Sequence, residues 1–240
     1  MYKRQSEYDP DGCAACVTPQ YGYRNGLLYP AYTAASFIRA LDLSDRHGVN
    51  LQGALTWAFE YDNTAYFDGF RVLTTNGIDK PVLNVHRMFG KMTGQRVSAL
   101  SSGQIPLDQV IAEGIHNATD VGVLSSLDQD CLYIFVWHYH DNDLPKPDAE
   151  IKLDIKGLPW SGCTDMTHYR IDDDHSNSYT EWLSMGSPQQ PSREQYNELA
   201  RAGKLTTLNE PHITDVQDGQ ATMDFSLPIR ALSLIRLEKA

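Results

Sequence analysis

Residues 30–59, PAYTAASFIRALDLSDRHGVNLQGALTWAF, change their periodicity once, and that change decides the fold. In the first half Ala34, Phe37, Ile38 and Leu41 recur at the i, i+3, i+4, i+7 spacing of one helix face. Pro30 suits the first turn, where its missing N–H is no loss. Arg46 and His47 supply a basic last turn, and Gly48 a C-terminal stop. From Val49 to Phe59 the chain is mostly apolar, as expected of a strand buried on both faces. A helix running into such a strand is the repeating step of a parallel α/β domain.

The same grammar extends outward. Upstream, Ser6-Glu-Tyr-Asp-Pro-Asp-Gly12 reads as a strand end and a loop. Downstream, a loop rich in Tyr, Asp and Gly leads to Asp79-Lys80-Pro81, where Asp79 can cap and Pro81 can open a second helix. Its stripe is Val82, Val85, Phe89 and Met92, and Gly94 ends it. From Arg96 onward the pattern becomes β. Leu132, Ile134 and Val136 alternate with Tyr133, Phe135 and Trp137. Ile151, Leu153 and Ile155 alternate with charged residues, which describes a half-buried strand. Residues 164–171, 223–227 and 231–237 add further strands, and Ser192 to Ala202 reads as a helical insertion stopped by Gly203. The expected fold class is α/β followed by all-β, with a boundary near residue 95 and a β-sandwich over 96–240.

Composition narrows the function. Twenty Lys and Arg against 31 Asp and Glu give a net charge of -11, which disfavours nucleic acid and anionic membrane surfaces. No apolar run approaches the roughly 20 residues of a membrane helix. Four cysteines are too few for a disulfide scaffold. The first five residues, MYKRQ, read as a translated sequencing adapter, so the chain is expected to be the C-terminal piece of a longer protein, with its compartment left open.

Several segments resemble glycoside hydrolase family 39. They are residues 6–16 (SEYDPDGCAAC), 23–26 (YRNG), 29–37 (YPAYTAASF), 53–60 (GALTWAFE) and 76–84 (NGIDKPVLN). Residues 136–140 (VWHYH), 168–172 (HYRID) and 175–177 (HSN) resemble that family's bacterial β-xylosidase branch. The resemblance implies a (β/α)8 barrel with an appended β-sandwich. A whole barrel needs about 250 residues, so residues 6–95 would supply only its last β/α units.

The resemblance also assigns chemistry. Retaining glycosidases use two carboxyl groups, one as nucleophile and one as acid/base. Glu7 matches the nucleophile position; the acid/base Glu of the family precedes it in sequence and has no counterpart in this chain. Trp57 and Glu60, at the end of the last barrel strand, and Tyr8 and Phe67 in the adjoining loops are the expected sugar contacts. Arg24 neutralises a site carboxylate, lies exposed or serves the structure. Asn209-Glu210-Pro211 imitates the acid/base motif of related barrels but reads as a turn. His138 and His140 share a strand face and are expected to hydrogen-bond within the sheet. Asp172-Asp-Asp174 with His175 reads as a solvated turn. Cys13-Ala-Ala-Cys16 has no second such pair and is read as a non-metal element, its pairing left open. The expectation is a β-xylosidase fragment, inactive alone, taking a small saccharide without metal or cofactor, with homo-oligomerisation left open. The alternatives are an α-L-iduronidase-like enzyme and a non-catalytic carbohydrate-binding or scaffolding module.

Overall fold

A computed structural model describes residues 2–5 (backbone only), 12, 13, 15–56, 61, 63–142 and 144–240. The chain divides into two compact units. The first holds residues 1–86 and 176–204, the second 87–175 and 205–240. Residues 87–95, expected with the α/β part, therefore fall in the second unit. The insertion around 192–202, expected with the β-rich part, falls in the first.

In the first unit the strands β1 (Tyr2–Gln5) and β2 (Asn50–Ala54) pair in parallel. Helix α1 (Leu28–His47) precedes β2 and buries Ala34 and Ile38 of the predicted stripe. Gly48 ends it at φ 59°, the left-handed stop read from the sequence. A short hairpin, β3 (Thr74–Thr75) with β4 (Ile78–Asp79), leads into helix α2 (Pro81–Lys91), whose Val82 and Val85 are buried. The unit is completed by α4 (Ser178–Ser184) and α5 (Arg193–Ala202). Ser192 caps α5 through a reciprocal box with Gln195. Asn177 caps α4 by accepting from the amides of Tyr179 and Thr180.

The second unit is antiparallel. Its large sheet contains β5 (Gln95–Val97), β6 (Asp120–Leu127), β7 (Cys131–Tyr139), β9 (Gly162–Ile171), β10 (Thr206–Thr207), β11 (His212–Val216) and β13 (Leu232–Lys239). The strand order is β10-β9-β13-β7-β6-β5, with β11 also on β9. A separate pair, β8 (Ala149–Lys156) with β12 (Gln220–Leu227), contributes to the same core as the large sheet. That core gathers Leu132, Ile134 and Val136 of β7, Ile235 and Leu237 of β13, Ile155 of β8 and Leu227 of β12. The half-buried reading of β8 holds, since Ile151 and Leu153 pack on this core while the charged positions between them are exposed. β7 departs from simple alternation because every one of its residues is buried. It lies between β6 and β13, and Phe135 on its other face stacks on Phe89. A short helix, α3 (Leu107–Glu113), precedes β6 and was not read from the sequence.

Candidate active site

Glu7, Tyr8, Trp57 and Glu60 lie outside the described residues. The described geometry is that of the segments following them in sequence, residues 12–25 and 61–80, both in the first unit.

These two segments are fastened together through backbone carbonyls. Four consecutive residues of the second segment each accept a hydrogen bond. Phe67 O takes the Asn25 side-chain amide at 2.7 Å, and Asp68 O takes the Thr18 amide at 2.9 Å. Gly69 O takes the Arg24 guanidinium at 3.2 Å, and Phe70 O takes Lys80 Nζ at 3.1 Å. Gly69 sits at φ 87°, and a Cβ there would lie 3.0 Å from the Tyr21 carbonyl oxygen. Only glycine satisfies both the dihedral and the close approach. Phe67 is itself held at φ 52°, a conformation an L-residue keeps only when its surroundings fix it.

Arg24, at the end of a short 3-10 turn (Gly22–Arg24), is fully buried, so the structure removes the exposed reading. Its guanidinium also lies over the Tyr21 ring, 4.4 Å from the centroid. Lys80 is buried, and burial, followed by the charge of Arg24, pushes its pKa down to about 7. Asn25, Tyr61, Phe70 and Lys80 border a cavity of about 10 Å³, the room of about one water. The Oδ1 of Asn25 is buried without a hydrogen-bond partner among the described residues.

Phe67, expected to meet sugar, has a packing role instead. It is 3% exposed, with its ring 5.0 Å from that of Trp182 and 5.3 Å from that of Tyr179. A ring enclosed by two others has no free face for a sugar.

The remaining candidates are structural. His138 Nδ1 bonds Leu227 O at 2.9 Å, and His140 Nε2 bonds His116 O at 3.0 Å. Asp172 Oδ1 accepts the amides of Asp174 and His175 and the His175 ring, which makes a closed turn. Glu210 is exposed in the loop between β10 and β11. Cys13 and Cys16 are joined as a disulfide. Among the described residues no group of three His, Cys, Asp or Glu is arranged to hold a metal, and no helix is long and apolar enough to cross a membrane.

The sequence reading missed Trp182, Gln189 and Tyr196, which meet the 61–80 region, and Asn84, which bonds Ser176 and Gly203. Their one local signal is Asn84, a polar residue between two buried valines of α2.

The sequence profile of glycosyl hydrolases family 39 matches residues 5–216. The chain belongs to that family. A β-xylosidase of Caldicellulosiruptor saccharolyticus is 30% identical over 141 residues, which are 58% of this chain and 26% of that protein. A monomeric β-xylosidase from Caulobacter crescentus CB15 superposes with a TM-score of 0.73 at 16% identity, covering 98% of this chain and 45% of that one. A bacterial orthologue of human α-L-iduronidase superposes with a TM-score of 0.75 at 17% identity, covering 100% of this chain and 42% of that one. This family 39 chain thus spans about a quarter of the curated relative and under half of each solved structure.

Proposed function

We propose that the chain is part of a retaining β-xylosidase that releases xylose from the non-reducing ends of xylo-oligosaccharides. The observation that carries this is the family 39 match over residues 5–216, joined to the similarity to a β-xylosidase. In this reading α1, β2 and α2, within residues 6–95, belong to the last units of a (β/α)8 barrel. The run of α1 into β2 supports that. The large antiparallel sheet and the β8–β12 pair form an appended β-sandwich, supported by their shared core.

Glu7 attacks the anomeric carbon and forms a covalent glycosyl-enzyme, which water then hydrolyses. Trp57 stacks on the apolar face of the sugar, Glu60 accepts sugar hydroxyls and Tyr8 borders them. Two carboxyl groups suffice for this chemistry, so no metal or cofactor is called for. A neutral pentose suits the described surroundings better than a uronic acid. Arg24 and Lys80, near the 61–70 loop, are buried and donate to backbone carbonyls, and Arg71 at its far end is buried as well.

With one of the two carboxyl groups assigned, the 240 residues alone are inactive. The test is hydrolysis of 4-nitrophenyl β-xyloside by the longer enzyme, its Glu7→Gln variant and the 240-residue chain. The longer enzyme turns over and Glu7→Gln loses at least about 10³-fold. The short chain stays at the level of its own Glu7→Gln control. Turnover by the short chain well above that control contradicts the reading.

A further inference from the structure

Residues 176–204 leave the strand β9, pack within the first unit and return to β10. Their contacts converge on the loop that the chain enters directly after Glu60. One side-chain amide closes both ends of the excursion: Asn84 Nδ2 donates to Ser176 O and to Gly203 O, each at 2.9 Å. Asp79, just before α2, anchors the same two ends. Its carbonyl accepts Ser178 Oγ at 2.6 Å, and its carboxylate meets Lys204 Nζ at 2.9 Å. Gly203 is needed there, because a Cβ would lie 2.6 Å from Asp79 O.

Between these ends the excursion grips the 61–77 loop at three points. Trp182 and Tyr179 enclose Phe67, with Leu199 and Ile78 in the same apolar cluster. The Tyr196 hydroxyl donates to Asn76 O at 3.3 Å. Gln189 engages both backbone groups of Tyr66, accepting from its N–H at 2.8 Å and donating to its C=O at 3.2 Å. The last contact copies a strand pair with a side chain. It fixes the backbone one residue before the four carbonyls held by Asn25, Thr18, Arg24 and Lys80.

We infer that the 176–204 excursion is a positioning brace for the loop that follows Trp57 and Glu60, and that Gln189 is a positioning residue for substrate binding. The inference rests on the glycosidase reading. It adds a second layer to it, because residues distant in sequence set how firmly the loop after Trp57 and Glu60 is held.

Gln189 is exposed and outside both cores, so its substitution tests the brace without threatening the fold. In the 240-residue chain, Gln189→Ala speeds hydrogen exchange of peptides covering residues 61–70 by roughly five- to tenfold, while β7 peptides are unchanged. In the longer enzyme the same substitution raises KM for the xyloside about fivefold with kcat within about twofold, and Gln189→Glu, which keeps the acceptor for Tyr66 N–H, recovers part of the loss. Arg201→Gln, on the exposed face of α5, changes neither readout. Unchanged exchange at 61–70 overturns the brace. Faster exchange with unchanged KM in an active enzyme overturns the positioning role alone. An inactive wild-type longer enzyme overturns that role together with the glycosidase reading, and the exchange result still decides the brace.

Discussion

The two units solve the same problem with different materials. The second buries apolar side chains of the large sheet and the β8–β12 pair in one core, and its stability scales with the apolar area removed from water. The first unit buries Arg24, Asn25, Lys80, Asn84 and Ser178, and spends their donors on backbone carbonyls of loops. Such groups are costly to bury and worth keeping only while each bond is made. The first unit also has an apolar cluster around Phe67, Ile78, Trp182 and Leu199, and the second also buries Asp120, His138 and His168. The difference therefore lies in the loops: in the first unit a few specific bonds fix loop backbone. In the proposed glycosidase, such bonds would hold the loop in one shape beside the sugar.

The largest effect expected is in the apolar unit. Trp137 is fully buried and its indole N–H donates to Asp120 at 2.9 Å. Trp137→Ala should cost about 3–5 kcal/mol in urea unfolding followed by β-sheet circular dichroism. A loss below about 1 kcal/mol would mean that burial of Trp137 against β6 contributes little to the unit. Next comes Asn84→Ala in the polar unit, which leaves the Ser176 and Gly203 carbonyls without their donor. A cost of about 2 kcal/mol is expected, together with faster exchange across residues 176–204. Equal protection in variant and parent would remove the claim that single bonds govern this unit.

The smallest and sharpest contrast is in pH. His168, bonded to Ser233 Oγ at 2.8 Å, is pushed down to about 3 from 6.5, chiefly by burial and then by the charge of Arg170. The unfolded chain binds its proton first, so this stabilisation is complete above pH 6.5 and is lost as pH falls toward 3. Lys80 is pushed down to about 7 from 10.5. By the same sign its contribution is complete above pH 10.5 and is lost as pH falls toward 7. Peptide-resolved exchange across pH should show β9 and β13 weakening in the acid window and the 66–80 loop gaining protection in the alkaline one. His168→Gln should flatten the first dependence and Lys80→Met the second. A Lys80→Met chain that keeps the alkaline gain would reassign it to another group.

Much of this contrast could be read in the sequence, but unequally. The α1 stripe, the Gly48 stop, the Pro81 start, the Ser192 cap and the alternation of β8 are local signals, and each appears where expected. The excursion's allegiance is not local. Ser192 to Ala202 carries a helix signal but nothing that says which unit it joins, because Asn84, Asp79 and Tyr66 are remote in sequence. Phe67 illustrates the same limit. An aromatic in a site loop reads as a sugar contact until Tyr179 and Trp182 are seen around it. Arg24 left site, surface and structural readings open because its role depends on a carbonyl 45 residues away. The readings of Glu7, Tyr8, Trp57 and Glu60 rest on resemblance, which transfers role and not geometry.

The most direct test of the central claim is to trap the nucleophile. The longer enzyme is incubated with a 2-deoxy-2-fluoro-β-xylosyl fluoride, whose reactive leaving group makes acid assistance unnecessary, and the labelled protein is digested and mapped by mass spectrometry. The account predicts one xylosyl adduct, on Glu7, and none in the Glu7→Gln variant. An adduct on Glu60 or on another carboxylate, or turnover that persists in Glu7→Gln, would contradict it.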